Sequence, residues 1–103
     1  MALPILTPAQ RAQALETAAE ARLARKRLLD QVKTGELSIT AVLARGKSDR
    51  VVAKTRITQL LRAFPGIGAV RAASVMEQAG IAETRRVGGL GPRQHDALVE
   101  ALS

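Results

Sequence analysis

Apolar residues recur along this chain at three- and four-residue spacings, and no stretch alternates as a half-buried strand would. Ile57, Leu60, Leu61 and Phe64 stand at i, i+3, i+4 and i+7, one buried helical face that Pro65-Gly66 ends abruptly. Upstream, Thr7-Pro8-Ala9-Gln10 combines a capping hydroxyl, a proline where a missing N–H is harmless and a Gln that completes a capping box. A helix is therefore predicted from Pro8 to Lys33, with Gly35 placed to stop it. Glu16 and Glu20 in its first half, and Arg22, Arg25, Lys26, Arg27 and Lys33 in its second, agree with the helix dipole. Such a rod would be on the order of 39 Å long. Only Leu15 offers much to bury in its first half, whereas Leu23, Leu28, Leu29 and Val32 crowd the second, so the N-terminal half is expected to project.

Two brief helices follow, Ile39 to Arg45 capped by Ser38, and a second through Val51, Val52 and Lys54 capped by Ser48 or Asp49. After Pro65-Gly66 the helical pattern restarts with Val70, Ala73, Met76 and Ala79 as its apolar face, and Gly80 followed by Ile81 reads as a Schellman stop. A glycine-rich connection over residues 82–91 leads to Pro92, which opens a last helix with Ala97, Leu98, Ala101 and Leu102 inward. The expected fold is all-α, a single domain of residues 1–103. Its long N-terminal helix (8–33) precedes a small helical body (48–103).

Composition narrows what such a body can do. Among 103 residues, 16 Lys and Arg against 9 Asp and Glu leave a net charge of +7, which suits a polyanionic partner. Apolar residues make up 47%, enough to exclude disorder, yet nineteen of them are Ala and Phe64 is the only aromatic residue, so the core must be thin and aliphatic. The absence of Cys excludes disulfides, thiolate metal sites and a thiol nucleophile. Residues 1–6 are too short for a signal core and no run is long enough to span a membrane, so a cytoplasmic, soluble protein is expected.

The charge is concentrated. Residues 45–71 carry seven basic side chains against Asp49 alone, and they surround Leu61-Arg62-Ala63-Phe64-Pro65-Gly66-Ile67-Gly68-Ala69-Val70-Arg71-Ala72. That run has the helix-hairpin-helix pattern, in which a helix ends in Pro-Gly-aliphatic-Gly and another begins at once. Pro65, Gly66, Ile67 and Gly68 would form a bare turn whose N–H groups, with the next helix start, face a phosphate oxygen, Ile67 pinning the turn to the core. Lys54, Arg56 and Arg71 are the cations nearest to it in sequence. A second turn, Thr84-Arg85-Arg86-Val87-Gly88-Gly89-Leu90-Gly91, places Arg85 and Arg86 on a glycine-rich backbone just before Pro92 and Arg93, and Arg93 joins the candidate set. Two turns between two helices suggest a helix-two-turn-helix. The competing reading is a pair of turns that only pack, or that hold another protein. Catalysis is not expected: His95 is the only His, the acids form no recognisable pair, and no metal or cofactor is called for.

The whole chain resembles the actinobacterial integration host factor family. The resemblance rests on Met1-Ala2-Leu3-Pro4, Leu6-Thr7, Gln10-Arg11, Leu60-Leu61, Pro65-Gly66-Ile67-Gly68, Val70-Arg71-Ala72, Thr84-Arg85-Arg86 and Gly89-Leu90-Gly91. It implies a nucleoid-associated, non-enzymatic protein that binds double-stranded DNA with little sequence preference, bends or compacts it, and assists phage integrase. A monomer is expected. Ala69 stands where relatives often have Lys, Gly88 where they often have Arg, and Arg62 where they often have Glu, while residues 33–49 match only loosely. The double-turn body is also similar to the DNA-holding module of formamidopyrimidine-type glycosylases and to the ribosomal S-thirteen type of protein. The glycosylase chemistry does not carry over, because Ala2 follows Met1 where a catalytic proline is needed. Phosphate-binding hairpins serve either nucleic acid, so an RNA-binding, ribosome-associated protein and a protein-interaction adaptor stay as alternatives.

Overall fold

A computed structural model describes residues 5–102, so the Met1-Ala2-Leu3-Pro4 part of the motif pattern lies outside the described residues. The described chain forms six α-helices: α1 Pro8–Lys33, α2 Ile39–Arg45, α3 Arg50–Lys54, α4 Ile57–Ala63, α5 Ala69–Ala79 and α6 Pro92–Leu102, with a 3₁₀ turn at Val87–Gly89 between α5 and α6. The only β pairing among these residues is a one-residue antiparallel bridge, Arg56 with Arg86.

Local chemistry sets the helix ends. Thr7 and Gln10 close a full capping box, Thr7 Oγ1 accepting from the Gln10 N–H at 3.1 Å and Gln10 Oε1 from the Thr7 N–H at 3.0 Å. Ser38 caps α2, and Asp49 rather than Ser48 caps α3, its Oδ1 accepting from the Val51 N–H at 2.9 Å. At the end of α5, Gly80 adopts φ +69°, and the Ile81 N–H reaches back to the Met76 carbonyl at 2.8 Å, the Schellman closure the sequence predicts.

The core is aliphatic. Ile57, Leu60 and Leu61 of α4 are fully buried, α4 packs against both α1 and α5, and α6 lies against α5 and α2 with Leu98 buried beneath it. Phe64 and Ile67 are half-buried against this cluster. Leu28 and Val32 tie the second half of α1 to it, whereas residues 5–20 are exposed throughout. The radius of gyration is 15.9 Å, above the roughly 13 Å of a compact 100-residue chain, and the longest axis is 47 Å. The projecting arm of α1 accounts for the difference.

Two inward faces differ from the pattern expected. In α5 Met76 and Ala79 meet the core as expected, but Ala72 and Val75 join them in place of Val70, which is 86% exposed, and Ala73, which is also exposed. Alanine and valine are interchangeable in a pattern of spacings, so the phase of this helix was open by about one position. In α6 Ala101 is exposed, and Val99 packs against the core instead.

Replacing Gly80 with Ala should destabilise the protein by about 1 kcal/mol, because the left-handed conformation opposes a side chain even though the space is open. Leu98→Ala should cost about 2–5 kcal/mol. Thermal melts followed by circular dichroism check both, and a Leu98→Ala melt no lower than that of Gly80→Ala would contradict the placement of Leu98 at the centre of the core.

Candidate functional site

The two glycine turns lie at opposite ends of α4. At its C-terminal end Phe64-Pro65-Gly66-Ile67 is a β-turn with proline at its second position and Gly66, φ +79°, at its third, closed by the Ile67 N–H on the Phe64 carbonyl at 3.2 Å. That is the pattern of a type II turn, which requires a positive φ at its third residue. Gly68 differs. Its φ is −90° and ψ −176°, ordinary extended backbone, and a Cβ there would meet nothing within 4 Å. Of the two glycines only Gly66 has the positive φ that the turn requires. Gly68 keeps the surface bare instead.

Helix α5 begins immediately after Gly68 with no side-chain cap, and its first bond runs from the Ala72 N–H to the Gly68 carbonyl at 3.0 Å. The N–H groups of Ala69, Val70 and Arg71 are therefore directed out of the helix start without an intrahelical acceptor. Arg71, in this first turn, is exposed. An open groove runs beside the turn between α1 and α4, lined by Asp30, Lys33, Arg62 and residues 64–68. It continues along α1 to a second depression at Arg22, Arg25 and Lys26, over Gln59 of α4. The Nε of Arg25 is buried there with no hydrogen-bond partner. Sequence reasoning missed Lys33 and this α1 cluster as neighbours of the hairpin, because only tertiary packing brings the last turns of α1 alongside α4.

At the N-terminal end of α4 the chain passes from Lys54 through Thr55 and Arg56 in an extended conformation. Thr55 is completely buried, its Oγ1 donating to the Val51 carbonyl at 2.8 Å. Its neighbours Lys54 and Arg56 are exposed. The second turn is laid against this segment: the Ile57 N–H donates to the Arg85 carbonyl at 3.0 Å and the Val87 N–H to the Thr55 carbonyl at 2.9 Å. Val87 is buried against α2, where a Cβ on Gly46 would lie 2.7 Å from its Cγ1. A Cβ on Gly88 would lie 3.1 Å from Ala53 Cβ, so glycine at that position lets the 3₁₀ turn rest closely on α3.

The adjacent arginines part company. Arg85 folds over the 3₁₀ turn, its Nη1 donating to the Gly89 carbonyl at 3.1 Å, and shares a shallow depression with Arg93 at the start of α6. Arg86 has no such bond and stands beside Arg56 across the bridge. Gln94 fastens the end of the second turn, accepting from the Gly91 N–H at 3.0 Å and donating to the Gly80 carbonyl at 2.8 Å. Lys54, Arg56 and Arg86 thus gather at one end of α4, the residue 65–68 turn and Arg71 at the other, and Arg85 and Arg93 beside α6.

The electrostatics are one-sided. The only contact of a basic side chain with a carboxylate among the described residues is His95 with Asp96, 3.5 Å apart, and no Lys or Arg is matched to a carboxylate. No His, Cys, Asp and Glu cluster among these residues could hold a metal, and no helix is long and apolar enough to cross a membrane. Bare N–H groups, open glycine turns and unmatched guanidinium groups form a surface suited to oxyanions.

Comparison with known proteins agrees with this architecture. Residues 32–102 match the family model of the S13-like H2TH domain. The integration host factor of Mycobacterium tuberculosis is 50% identical over 100 residues, covering 97% of this chain and 95% of that protein. That of Streptomyces coelicolor is 47% identical over 98 residues, covering 95% and 92%. The solved structure of sIHF bound to an 8bp palindromic DNA matches with a TM-score of 0.83 at 38% identity, over 85% of this chain and 99% of that one. The chain belongs to the integration host factor family and carries that family's helical fold, with an S13-like H2TH domain at residues 32–102.

Proposed function

We propose that this protein binds double-stranded DNA with little sequence preference and bends or compacts it, as a non-enzymatic, architectural component of the nucleoid in the cytoplasm. The observation that carries this reading is the set of unmatched cations and bare N–H groups around two turns held at either end of α4. The DNA-bound relative and the names of the other relatives favour a duplex DNA partner over RNA or an adaptor role. In this reading the protein acts as a monomer and joins complexes that phage integrase builds.

The mechanism follows from what each part offers. The N–H groups of Ala69, Val70 and Arg71 receive a phosphate oxygen at the start of α5, where the helix dipole adds to the attraction. Gly68 lets the backbone approach that oxygen, and Arg71 adds a cation beside it. Lys54, Arg56 and Arg86 receive phosphate at the other end of α4, a seven-residue helix about 11 Å long. Arg85 braces the second turn and, with Arg93, extends the positive surface towards α6. Contacts of this kind fix position on a duplex without reading bases.

Gly68→Val should keep the helices and stay within about 1 kcal/mol of the parent in stability, since the position is extended and open. Its affinity for duplex DNA should fall about tenfold or more, because the side chain occupies the approach to phosphate. Circular dichroism and a mobility shift on the same sample check the pair of outcomes, and a folded variant of unchanged affinity contradicts the hairpin's role.

Binding should also be strongly salt-dependent. Neutralising about four to six phosphates gives a slope of roughly −4 to −5 for log affinity against log salt, the same for duplexes of unrelated sequence. Titration of two unrelated labelled duplexes at several salt concentrations measures it. A slope shallower than about −2 would mean that most of these cations meet no phosphate.

A further inference from the structure

The sole β bridge in the described chain pairs two arginines. Arg56 and Arg86 face one another across it, framed by the Ile57 N–H on the Arg85 carbonyl and the Val87 N–H on the Thr55 carbonyl. That framing makes the pair the non-hydrogen-bonded kind, in which opposed Cα atoms lie about 4.5 Å apart and the two side chains leave on the same face. Thr55 and Val87, the next residues on each strand, are buried at 0% and 6% exposure, so alternation directs Arg56 and Arg86 outward. Both are exposed, and neither has a carboxylate partner.

Like charges set directly opposite in a ladder are destabilising. Here they sit on the very contact that seats the second turn, where a neutral pair would serve the backbone equally well. Among the described residues no cap bond or ion pair uses either guanidinium. Arg85 is the instructive contrast: its guanidinium is engaged with Gly89 and its stem lies along that glycine. An anion between Arg56 and Arg86 would turn the repulsion into two attractions, and two planar donor forks approaching from adjacent strands can each bond separate oxygens of one tetrahedral group.

We infer that Arg56 and Arg86 form a clamp that takes a single phosphate group between them, and that the anion stabilises the bridge it occupies. In the bound state the group is a phosphodiester of the duplex, which rests on the DNA-binding reading; the clamp's preference for a tetrahedral oxyanion does not.

Four proteins test it: the parent, Arg56→Gln, Arg86→Gln and the double variant. In dilute chloride each single variant should melt roughly 1–4 °C above the parent, and the double variant no higher than the singles, because removing either charge removes the whole repulsion. Exchanging chloride for inorganic phosphate at equal ionic strength should raise the melting temperature of the parent more than that of the double variant. On duplex DNA, the double variant should lower the magnitude of the salt slope by about 0.9, the value for one phosphate, and lose less affinity than the product of the two single losses. A drop of about 1.8, with multiplicative losses, would mean two separate phosphates and overturn the clamp while leaving DNA binding intact. Equal stabilisation of parent and double variant by phosphate would overturn it as well. A parent protein that binds no duplex would remove the functional reading, and the melting experiment would then decide the clamp by itself.

Discussion

Two backbone hydrogen bonds, from the Ile57 N–H to the Arg85 carbonyl and from the Val87 N–H to the Thr55 carbonyl, fix the second turn against the start of α4. Everything at that end of the molecule depends on them. Thr55 is buried with its hydroxyl bonded to α3, Val87 fills a space against α2, and the 3₁₀ turn settles onto Ala53 because Gly88 has no side chain. Without this contact residues 82–91 would be a long glycine-rich loop over the surface, and Arg86 would have no defined relation to Arg56. With it, α4 becomes a short spacer whose two ends each carry a glycine turn flanked by exposed cations.

This arrangement sets charge against stability. A net charge of +7, with no Lys or Arg matched to a carboxylate among the described residues, repels itself in the free protein. The fold offsets this by burying aliphatic side chains: Ile57, Leu60 and Leu61 on α4, Leu98 on α6, and Leu28 and Val32 where α1 closes over them. Asp30 lines the groove by the hairpin, and Glu77 and Glu83 lie around a second depression that shares Arg62 and reaches Ala69, yet none of the three pairs with a cation. In the proposed function a duplex would supply the missing negative charge.

Much of this was legible in the sequence, for physical reasons that differ from element to element. The bounds of α1 followed from a capping box and a stop glycine, both local signals. Pro65-Gly66 announced a turn because only glycine accepts the left-handed conformation found at Gly66. Gly80 and Ile81 closed α5 as expected. The phase of α5 was not legible, since Val70, Ala72, Ala73 and Val75 differ too little in hydrophobicity to show which of them faces inward. The bridge was not legible either. A pairing one residue long has no period, and residues 56 and 86 are thirty positions apart. The same holds for Lys33 and Arg25, which reach the hairpin side only because Leu28 and Val32 dock α1 along α4. The basic residues near the turns could be named from sequence, but which of them share a contact, and which, like Arg85, brace the fold, required the packing.

If the two turns act together as one phosphate-binding surface with α4 between them, both ends of α4 should respond to the same duplex. Isotopically labelled protein titrated with a short duplex of arbitrary sequence, its backbone amides followed by nuclear magnetic resonance, reads this out residue by residue. The amides of Gly66, Gly68, Ala69, Val70 and Arg71 should shift in step with those of Arg56, Arg86 and Val87, saturating at one ratio of duplex to protein. Shifts confined to one end of α4, or centred on the Glu77 and Glu83 side of α5, would contradict it.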